Sequence, residues 1–329
     1  MGPHHHESLL SRKLRIAVLC GGPSAERIVS LKSGAAVAQA LSQMGHSIEQ
    51  IDPLLIELAG CDWSRFDMAF IALHGKFGED GQVQQLLEDA KLCYTGSGVA
   101  ASRLAFSKSA AKERFLQHAV PTPAYCLIHE SDTAQRILGQ AEGLGFPLAV
   151  KPDTQGSSLG VSIVRSCDEL PAALGRCFHY DSFGLLERAV IGSEWTVGML
   201  DDRALAPIRI QTNRAFFDYH AKYEDDETQY EFEFDVPSEQ VERIVRSAQS
   251  ACAALGTEGL ARVDLMLDKS GQPYVLEVNT VPGLTDHSLV PKAAACEGLR
   301  FGELCQACVE SALRRAGIAQ TRAEARRRR

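Results

Sequence analysis

Four polar side chains in the C-terminal third of the chain have the types and the spacing of a cation site. Arg262 and Asp264 lie two positions apart in one β-rich run, and Glu277 and Asn279 lie two positions apart in the next. Between the runs stands Asp-Lys-Ser-Gly at 268–271, a composition typical of a tight turn. Two carboxylates and an amide oxygen are hard ligands of the kind that Mg²⁺ takes, usually together with phosphate oxygens of a substrate.

The two runs predict a β-hairpin closed by this turn. A symmetric four-residue turn would place Arg262 opposite Glu277 and Asp264 opposite Val275. Because side chains alternate with period two, the four polar residues would then share one face. The other face would carry an apolar set suited to a core, namely Val263, Leu265, Leu267, Leu276 and Val278. The same pattern also fits an amphipathic hairpin whose polar face is merely solvated, and the hairpin alone does not separate the two interpretations.

The composition is that of an acidic globular protein. The chain has 329 residues, 45% of them hydrophobic, and is long enough for two or three domains. Its net charge of −8 argues against nucleic acid as a partner. No apolar run approaches the ~20 residues of a membrane span, and the N-terminus lacks the apolar region of a secretory signal. Ten cysteines without a paired framework indicate a reduced protein, so a cytoplasmic location is expected.

Strands alternating with helices in the N-terminal third predict a parallel sheet. The predicted strands are Arg15–Cys20, Ser47–Asp52, Met68–Leu73 and Leu92–Thr95, and the longest predicted helices are Val99–Ala119, Pro237–Leu255 and Phe301–Ala316. A Gly-Gly pair after the first strand raises the alternative of a dinucleotide-binding domain. However, Cys-Gly-Gly-Pro-Ser-Ala-Glu at 20–26 is not G-x-G-x-x-G, which excludes that class of oxidoreductase.

A Gly/Ser loop in the middle of the chain has the character of a phosphate-binding segment. The apolar strand at 146–152 delivers Lys151, Gln-Gly-Ser-Ser-Leu-Gly follows at 155–160, and another strand follows at 161–164. This order is not that of a P-loop, which runs from strand through loop to helix. Exposed loop amides can still wrap phosphates while Lys151 supplies a point charge, although an ordinary hairpin turn has the same sequence pattern.

The segment Asn-Thr-Val-Pro-Gly-Leu-Thr-Asp-His-Ser-Leu-Val-Pro at 279–291 resembles the C-terminal signature of the ATP-grasp ligases, and more specifically of the D-alanine–D-alanine ligase family. The resemblance implies two Mg²⁺ ions, with Mn²⁺ as the alternative. The implied metal ligands are Asp264, Glu277 and Asn279. Arg262 and the amide of Gly283 would stabilise a tetrahedral oxyanion, and Ser288 and the amide of Leu289 would receive the carboxylate of the second substrate.

Two N-terminal motifs resemble the same family. Gly-Gly-Pro-Ser-Ala-Glu-Arg-Ile-Val-Ser-Leu-Lys-Ser at 21–33 is similar to the first substrate loop, where the glutamate matching Glu26 holds the ammonium of the first D-alanine. A carboxylate is the direct complement of a charged amine. His-Gly-Lys-Phe-Gly-Glu-Asp-Gly at 74–81 is the second motif, and it implies that His74 lies near the substrate carboxylate.

The resemblance assigns the ATP contacts to the middle of the chain. The implied ATP-binding residues there are Lys108, Lys151, Gly156, Ser158, Glu187, Val190 and Glu194. Glu187 and the backbone of Val190 would meet adenine, and Glu194 would accept from the ribose hydroxyls. The loop at 155–160 would form a lid over the triphosphate, with Ser157 near the substrate.

A polar, acidic and aromatic stretch at 216–230 reads as a long loop, and such loops are often lids. It resembles the mobile loop of the family. Phe216 would contact ATP, Lys222 would approach the γ-phosphate, and Tyr223 would close over the substrate beside Ser157.

The resemblance implies a parallel-sheet α/β domain followed by a two-part ATP-grasp fold of α+β type. The predicted limits are 1–13 for a disordered end or tag remnant, 14–107 for the substrate domain, 108–190 for the central domain, 191–316 for the metal-binding domain and 317–329 for a basic tail. The implied reaction joins two D-alanine molecules through an acyl phosphate, uses ATP, and supplies peptidoglycan precursors. The resemblance also implies a homodimer, and no membrane partner is expected. The alternatives are a ligase whose second substrate is D-serine or D-lactate, and a nucleotide-binding protein without ligase activity.

Overall fold

The structure, a computed structural model, describes residues 13–211, 229–285 and 288–327, with side chains described as far as residue 317. Three predicted site residues, Phe216, Lys222 and Tyr223, lie outside the described residues, and so do residues 1–12 of the segment 1–13 predicted as a disordered end or tag remnant. No helix in the described ranges is long and apolar enough to cross a membrane. All ten cysteines are free thiols.

The N-terminal part is a parallel sheet, as predicted, with strand order β2-β1-β3-β4. Its strands are β1 (Arg15–Leu19), β2 (Ser47–Ile51), β3 (Met68–Ile71) and β4 (Cys93–Tyr94). The crossovers contain α1 (Arg27–Gln43), the 3₁₀ turns Leu58–Gly60 and Trp63–Arg65, and α2 (Gln82–Asp89). β3 is buried along its whole length because a parallel sheet is covered on both faces.

The central part is an antiparallel sheet with strand order β5-β8-β6-β7. Its strands are β5 (Tyr125–His129), β6 (Leu148–Pro152), β7 (Ser162–Val164) and β8 (Phe183–Arg188). One face is covered by α5 (Ala134–Leu144) and α6 (Leu170–Phe178), and the 3₁₀ turn Cys167–Glu169 precedes α6. The strand–loop–strand order predicted around residues 155–160 is therefore the β6–β7 pair.

The C-terminal part is a larger antiparallel sheet with order β12-β11-β9-β13-β14, and β10 pairs with β9. Its strands are β9 (Gly192–Leu200), β10 (Arg203–Ala204), β11 (Ile208–Gln211), β12 (Gln229–Glu231), β13 (Leu260–Asp268) and β14 (Pro273–Asn279). The helices of this part are α7 (Ser238–Leu255), α8 (Leu289–Cys296) and α9 (Phe301–Arg327). α7 packs against the apolar face of the β13–β14 hairpin.

The single helix predicted over Val99–Ala119 is wrong. The chain forms α3 (Val99–Phe106) and α4 (Lys108–Gln117), because Ser107 between them is extended, with φ −87° and ψ 113°. The Ser107 hydroxyl accepts a hydrogen bond from the Ala110 amide at 3.2 Å, which makes it an N-cap. The break makes Lys108 the first residue of a helix rather than an interior one.

The predicted end of the last helix at Ala316 is also wrong, since α9 continues to Arg327 through most of the segment predicted as a basic tail. Arg315 anchors this helix to the parallel sheet by donating to the Tyr94 carbonyl at 2.6 Å and to the Gly96 carbonyl. The Tyr94 carbonyl is at the end of β4 and the Gly96 carbonyl lies just after it, so the helix is held against the end of that strand.

The hairpin register differs from the predicted one by two separate single-residue shifts. Near the turn Leu267 pairs with Pro273, whereas a symmetric four-residue turn would pair it with Gln272. The loop is one residue longer because Gly271 adopts a left-handed φ of 78°. A β-bulge then adds a second shift, so that Asp264 pairs with Glu277.

Together the two shifts restore the predicted parity at the polar end of the hairpin. Arg262 pairs with Asn279 rather than with Glu277, but the four polar residues still share a face. Between the two shifts the parity is reversed: Val275 is fully buried in the core, and Leu276, predicted to face that core, lines a cavity on the polar side.

Candidate functional site

A cavity of about 840 Å³ lies between the central and the C-terminal sheet. This volume is within the range of small-molecule sites. Eight of the residues predicted to bind ATP or metal line it, namely Lys108, Lys151, Ser158, Glu187, Val190, Glu194, Asp264 and Glu277. The structure therefore brings together, in one cavity, residues that are up to 169 positions apart in sequence (277 minus 108).

One part of the cavity wall is apolar. Ile163 of β7, Ile210 of β11, Met266 of β13 and Leu276 of β14 line it. Met266 and Leu276 were not among the predicted site residues, and Leu276 faces the cavity because of the bulge in β14. An apolar wall with polar groups beside it can hold a flat aromatic ring.

Asp264 is the centre of the polar hairpin face. It accepts hydrogen bonds from Arg262 Nε at 2.9 Å and Nη2 at 2.8 Å, a bidentate pair. Thr196 Oγ1 donates to it at 2.7 Å, and Asn279 Nδ2 at 3.1 Å. Glu277 is its cross-strand neighbour, and the Lys108 ammonium lies 3.5 Å from Glu277 Oε2.

This donor set fits Mg²⁺. Within the described ranges no three His, Cys, Asp or Glu side chains form a complete metal cage. Two adjacent carboxylates and an amide side chain are instead the partial oxygen set that Mg²⁺ shares with substrate phosphates. Each of the two carboxylates also has a basic partner, Arg262 on Asp264 and Lys108 on Glu277.

The Gly/Ser loop connects this cavity to a second site. Lys108 Nζ donates to the Gln155 carbonyl at 2.5 Å, which fixes the start of the loop. Ser157 and Ser158 have left-handed φ values of 52° and 58°, a strained conformation for residues with a Cβ and one that clusters at functional sites. Ser158 lines the cavity, whereas the Ser157 hydroxyl donates to Glu26.

Glu26 is enclosed by backbone that has no room for side chains. A Cβ on Gly75 would lie 2.6 Å from Glu26 Oε2, and a Cβ on Gly156 would lie 2.8 Å from the same atom. The side chain of Glu26 is 9% exposed. The predicted proximity of Glu26 and Ser157, which are 131 positions apart, is present in the structure.

His74 is buried, and protein atoms engage both of its ring nitrogens. Nδ1 lies 2.9 Å from the Val281 carbonyl, which can only accept, so Nδ1 carries the proton. Burial lowers the pKa of the ring, so Nε2 is unprotonated and accepts from the Ser33 hydroxyl at 2.9 Å. Ser33 Oγ in turn accepts from the Leu284 amide at 3.2 Å. His74 thus holds the 281–284 backbone around Gly283, and its contact with a substrate carboxylate stays a prediction.

Glu79 is a partly buried carboxyl group that the sequence analysis missed. It accepts a hydrogen bond from the Gly75 amide at 2.9 Å, next to Glu26. Burial raises its pKa to about 8, and the negative charge of Glu26 acts in the same direction. The sequence signal for Glu79 was its position in the 74–81 motif. It was overlooked because its neighbours there are typical turn residues and an acidic residue in a turn is usually solvated.

Glu187 lies on β8 and is 2% exposed. Its carboxylate contacts Lys151 Nζ at 2.6 Å and Lys112 Nζ at 2.7 Å. Its predicted contact with adenine stays a prediction, because both oxygens are engaged by lysines. Lys112 was missed, although its four-residue spacing from Lys108 places both lysines on one face of a helix.

The loop after β14 contains the remaining predicted residues. A Cβ on Gly283 would lie 2.7 Å from Ser288 Oγ, so the glycine permits the loop to close on Ser288. Thr285 N donates to Ser288 Oγ at 3.0 Å, and Leu289 begins α8 directly afterwards. The Leu289 amide is therefore at a helix N-terminus, which favours a bound carboxylate.

Comparisons with known proteins find relatives that match nearly the whole chain. A D-alanine–D-alanine ligase of Ectopseudomonas mendocina is 44% identical over 306 residues, which cover 92% of this chain and 96% of that one. The structure of the Bacillus anthracis D-alanine–D-alanine ligase complexed with ATP matches with a TM-score of 0.79 at 32% identity, covering 93% of this chain and 99% of that one. The D-Ala:D-Ser ligase of Enterococcus faecalis matches with a TM-score of 0.80 at 26% identity, covering 92% and 100%.

Family profiles cover most of the chain. The profile described as D-ala D-ala ligase N-terminus matches residues 57–97, and the one described as D-ala D-ala ligase C-terminus matches residues 115–310. The second match alone spans more than half of the 329 residues. The chain belongs to the D-alanine–D-alanine ligase family.

Proposed function

We propose that the protein joins two D-alanine molecules with ATP, giving D-alanyl-D-alanine, ADP and phosphate for peptidoglycan precursors. The observation that carries the proposal is the position of the Gly/Ser loop between two sites. Ser158 lines the nucleotide-sized cavity, and its neighbour Ser157 bonds to Glu26, the predicted ammonium partner. A substrate held by Glu26 is therefore adjacent to the phosphate end of a nucleotide in the cavity.

The reaction proceeds in two steps, phosphorylation of the first D-alanine and attack by the amine of the second. A carboxylate oxygen of the first D-alanine attacks the γ-phosphorus, ADP leaves, and a mixed acyl phosphate forms. The amine of the second D-alanine then attacks the acyl carbon, loses a proton, and phosphate leaves with the bridging oxygen. Little covalent work falls to the protein, so its contribution is positioning and neutralisation of charge.

Specific residues supply these contributions. Lys108 and Lys151, which both line the cavity, neutralise the triphosphate. Arg262 and the Gly283 amide stabilise the oxyanion of the tetrahedral intermediate. Ser288 and the Leu289 amide bind the carboxylate of the second D-alanine. The bidentate hold of Asp264 on Arg262 supports this role because it fixes the guanidinium plane.

Mg²⁺ is the proposed cofactor, with Asp264, Glu277 and Asn279 as its protein ligands. When bound, it would neutralise phosphate charge during transfer. For the nucleotide, Val190 and Glu194 at the cavity edge are the proposed partners of adenine and ribose. Their support is that both line the cavity, next to the apolar wall.

A ligase with D-serine as second substrate is the alternative, and the match to a D-Ala:D-Ser ligase favours keeping it. The experiment that separates the two measures phosphate release from ATP with D-alanine alone, L-alanine alone, and D-alanine plus D-serine or D-lactate, with products identified by mass spectrometry. We expect release with D-alanine alone and a dialanine product. Absence of release with D-alanine would refute the proposal.

We further propose a homodimer and a cytoplasmic location, both on the family resemblance. Exposed apolar side chains on the parallel-sheet domain, among them Ile28, Leu54 and Leu55, give such a dimer an available surface. Sedimentation equilibrium of the purified protein tests the dimer, and a single species of 35.8 kDa would contradict it.

A further inference from the structure

Lys112 is the most deeply buried basic group among the described residues, with no exposed surface. It lies on α4, one turn after Lys108. Its ammonium contacts Glu187 Oε2 at 2.7 Å and donates to Thr122 Oγ1 at 2.6 Å. The ring of Tyr125 lies beneath it, with the centroid 5.6 Å from Nζ. Lys112 does not line the cavity, so it contacts nothing bound there.

The contacts of Lys112 join two sheets. On one side Glu187 Oε1 accepts from Lys151 Nζ at 2.6 Å, which links Lys112 to the cavity lysine of the central sheet. On the other side Thr122 Oγ1 donates to the Val275 carbonyl at 2.7 Å, on the strand that carries Glu277. A continuous row of buried polar groups therefore connects Lys151 to the predicted metal strand.

Charge explains why a second lysine is needed. A lone Lys151–Glu187 pair would be neutral, and the buried carboxylate would cancel the charge that Lys151 offers to phosphate. With Lys112 on the far oxygen, the three groups carry a net charge of +1. Burial would raise the pKa of Glu187, but Lys112 and Lys151 together hold it below its ordinary value.

We propose that Lys112 is a positioning residue for ATP: it neutralises Glu187 from behind, so that the positive charge of Lys151 remains available to the phosphates. The inference rests on the proposed binding of ATP in the cavity. The competing explanation is that Lys112 only stabilises the fold, as other buried ion pairs do. The two explanations differ in which kinetic constant they affect.

Lys112→Met tests the proposal, because methionine keeps the unbranched shape of the lysine side chain up to Cε and removes the ammonium. We expect the KM for ATP and the dissociation constant of ADP to rise by on the order of tenfold, since hydrogen bonds to charged groups have about that effect. The KM for D-alanine should stay within about twofold. An unchanged KM for ATP, or equal rises in both KM values, would overturn the proposal.

Phe115→Leu is the matched control, since Phe115 is on the same helix, is fully buried, and lies in the apolar core. It should lower the thermal stability while leaving the KM for ATP unchanged. If it raised the KM for ATP as much as Lys112→Met, the effect would be structural and the proposal would fail. If the unmodified protein bound no ADP, the proposed function would fail instead.

The double variant Lys112→Met with Glu187→Gln separates charge from packing. If Lys112 acts by neutralising Glu187, removing the carboxylate as well should restore part of the ADP affinity, so the two changes should be non-additive. Strict additivity would contradict the proposal. If Lys112→Met does not fold, Thr122→Val is the substitute, because it removes the hydroxyl that accepts from the Lys112 ammonium. The same selective rise in the KM for ATP is expected. An unchanged KM for ATP in Thr122→Val would count against the proposal.

Discussion

Glu277→Gln and Asp264→Asn should both abolish turnover but should differ sharply in their effect on stability. Both residues are proposed metal ligands on neighbouring strands, and both substitutions keep the shape of the side chain. Asp264 holds Arg262 in a bidentate pair whose side chains are 11% and 15% exposed. Glu277 is 25% exposed, and its Lys108 partner lies 3.5 Å away and also donates to the Gln155 carbonyl.

These contacts set the magnitudes. Neutralising Asp264 removes a buried bidentate counter-charge from the Arg262 guanidinium, which costs about 3–5 kcal/mol. Neutralising Glu277 weakens its 3.5 Å ion pair at a more exposed carboxylate, and Lys108 keeps its hydrogen bond to the Gln155 carbonyl, so we expect a smaller cost of about 1 kcal/mol. For turnover, loss of either carboxylate removes charge needed in the transition state, and kcat should fall by on the order of 10³.

The assay is phosphate release at saturating ATP, D-alanine and Mg²⁺, paired with urea unfolding of each variant in EDTA. The metal-free unfolding measurement isolates the protein contacts from any effect of the cation. Near-normal turnover of Glu277→Gln would remove that residue from the metal site. Equal destabilisation by the two substitutions would refute the contact argument, even if both were inactive.

Two further changes test the neighbouring site. The pKa of the Glu79 carboxyl is about 8 in the folded protein, against an ordinary 4.5, so the folded state holds this proton more tightly than the unfolded state does. The stability that the bound proton contributes is therefore lost as pH rises from about 4.5 to 8. In EDTA, Glu79→Gln should therefore flatten the fall in urea-unfolding free energy across that window, and an unchanged slope would reject the shift. Gly156→Ala places a Cβ 2.8 Å from Glu26 Oε2 and so displaces the predicted ammonium partner. In steady-state kinetics with each substrate varied, the KM for D-alanine should rise about tenfold or more, with little change in the KM for ATP. A rise in the KM for ATP alone would mean that the loop serves only the nucleotide.

The sequence was sufficient for the parallel sheet and for the face of the hairpin, because both follow from local patterns. Strand–helix alternation in the N-terminal third has few other solutions. The predicted hairpin face was correct only because two shifts of one residue add to two at Asp264 and so restore the side-chain alternation. Between the two shifts the alternation is reversed, and the side predicted for Leu276 was wrong. Turn closure and bulges are set by single left-handed or extra residues, whose effect on register the alternation pattern does not show.

Contacts between distant segments were beyond the local patterns. The bond between Ser157 and Glu26 depends on how the central sheet docks on the parallel domain, and only the family resemblance indicated it. Lys112 and Glu79 were missed for a related reason. A lysine on a helix and an acid in a turn are usually solvated, and only tertiary packing reveals their burial. The break at Ser107 was missed because an N-cap serine inside an apolar helical pattern looks like an ordinary helix residue.

The central claim is that the first D-alanine is activated as an acyl phosphate in this site, and isotope transfer tests it most directly. The protein would be supplied with ATP, Mg²⁺ and D-alanine labelled with ¹⁸O in its carboxylate, and the released phosphate analysed by mass spectrometry. The account predicts one ¹⁸O atom in each phosphate and the other retained in the amide carbonyl of the dipeptide. Unlabelled phosphate formed alongside the dipeptide would contradict it.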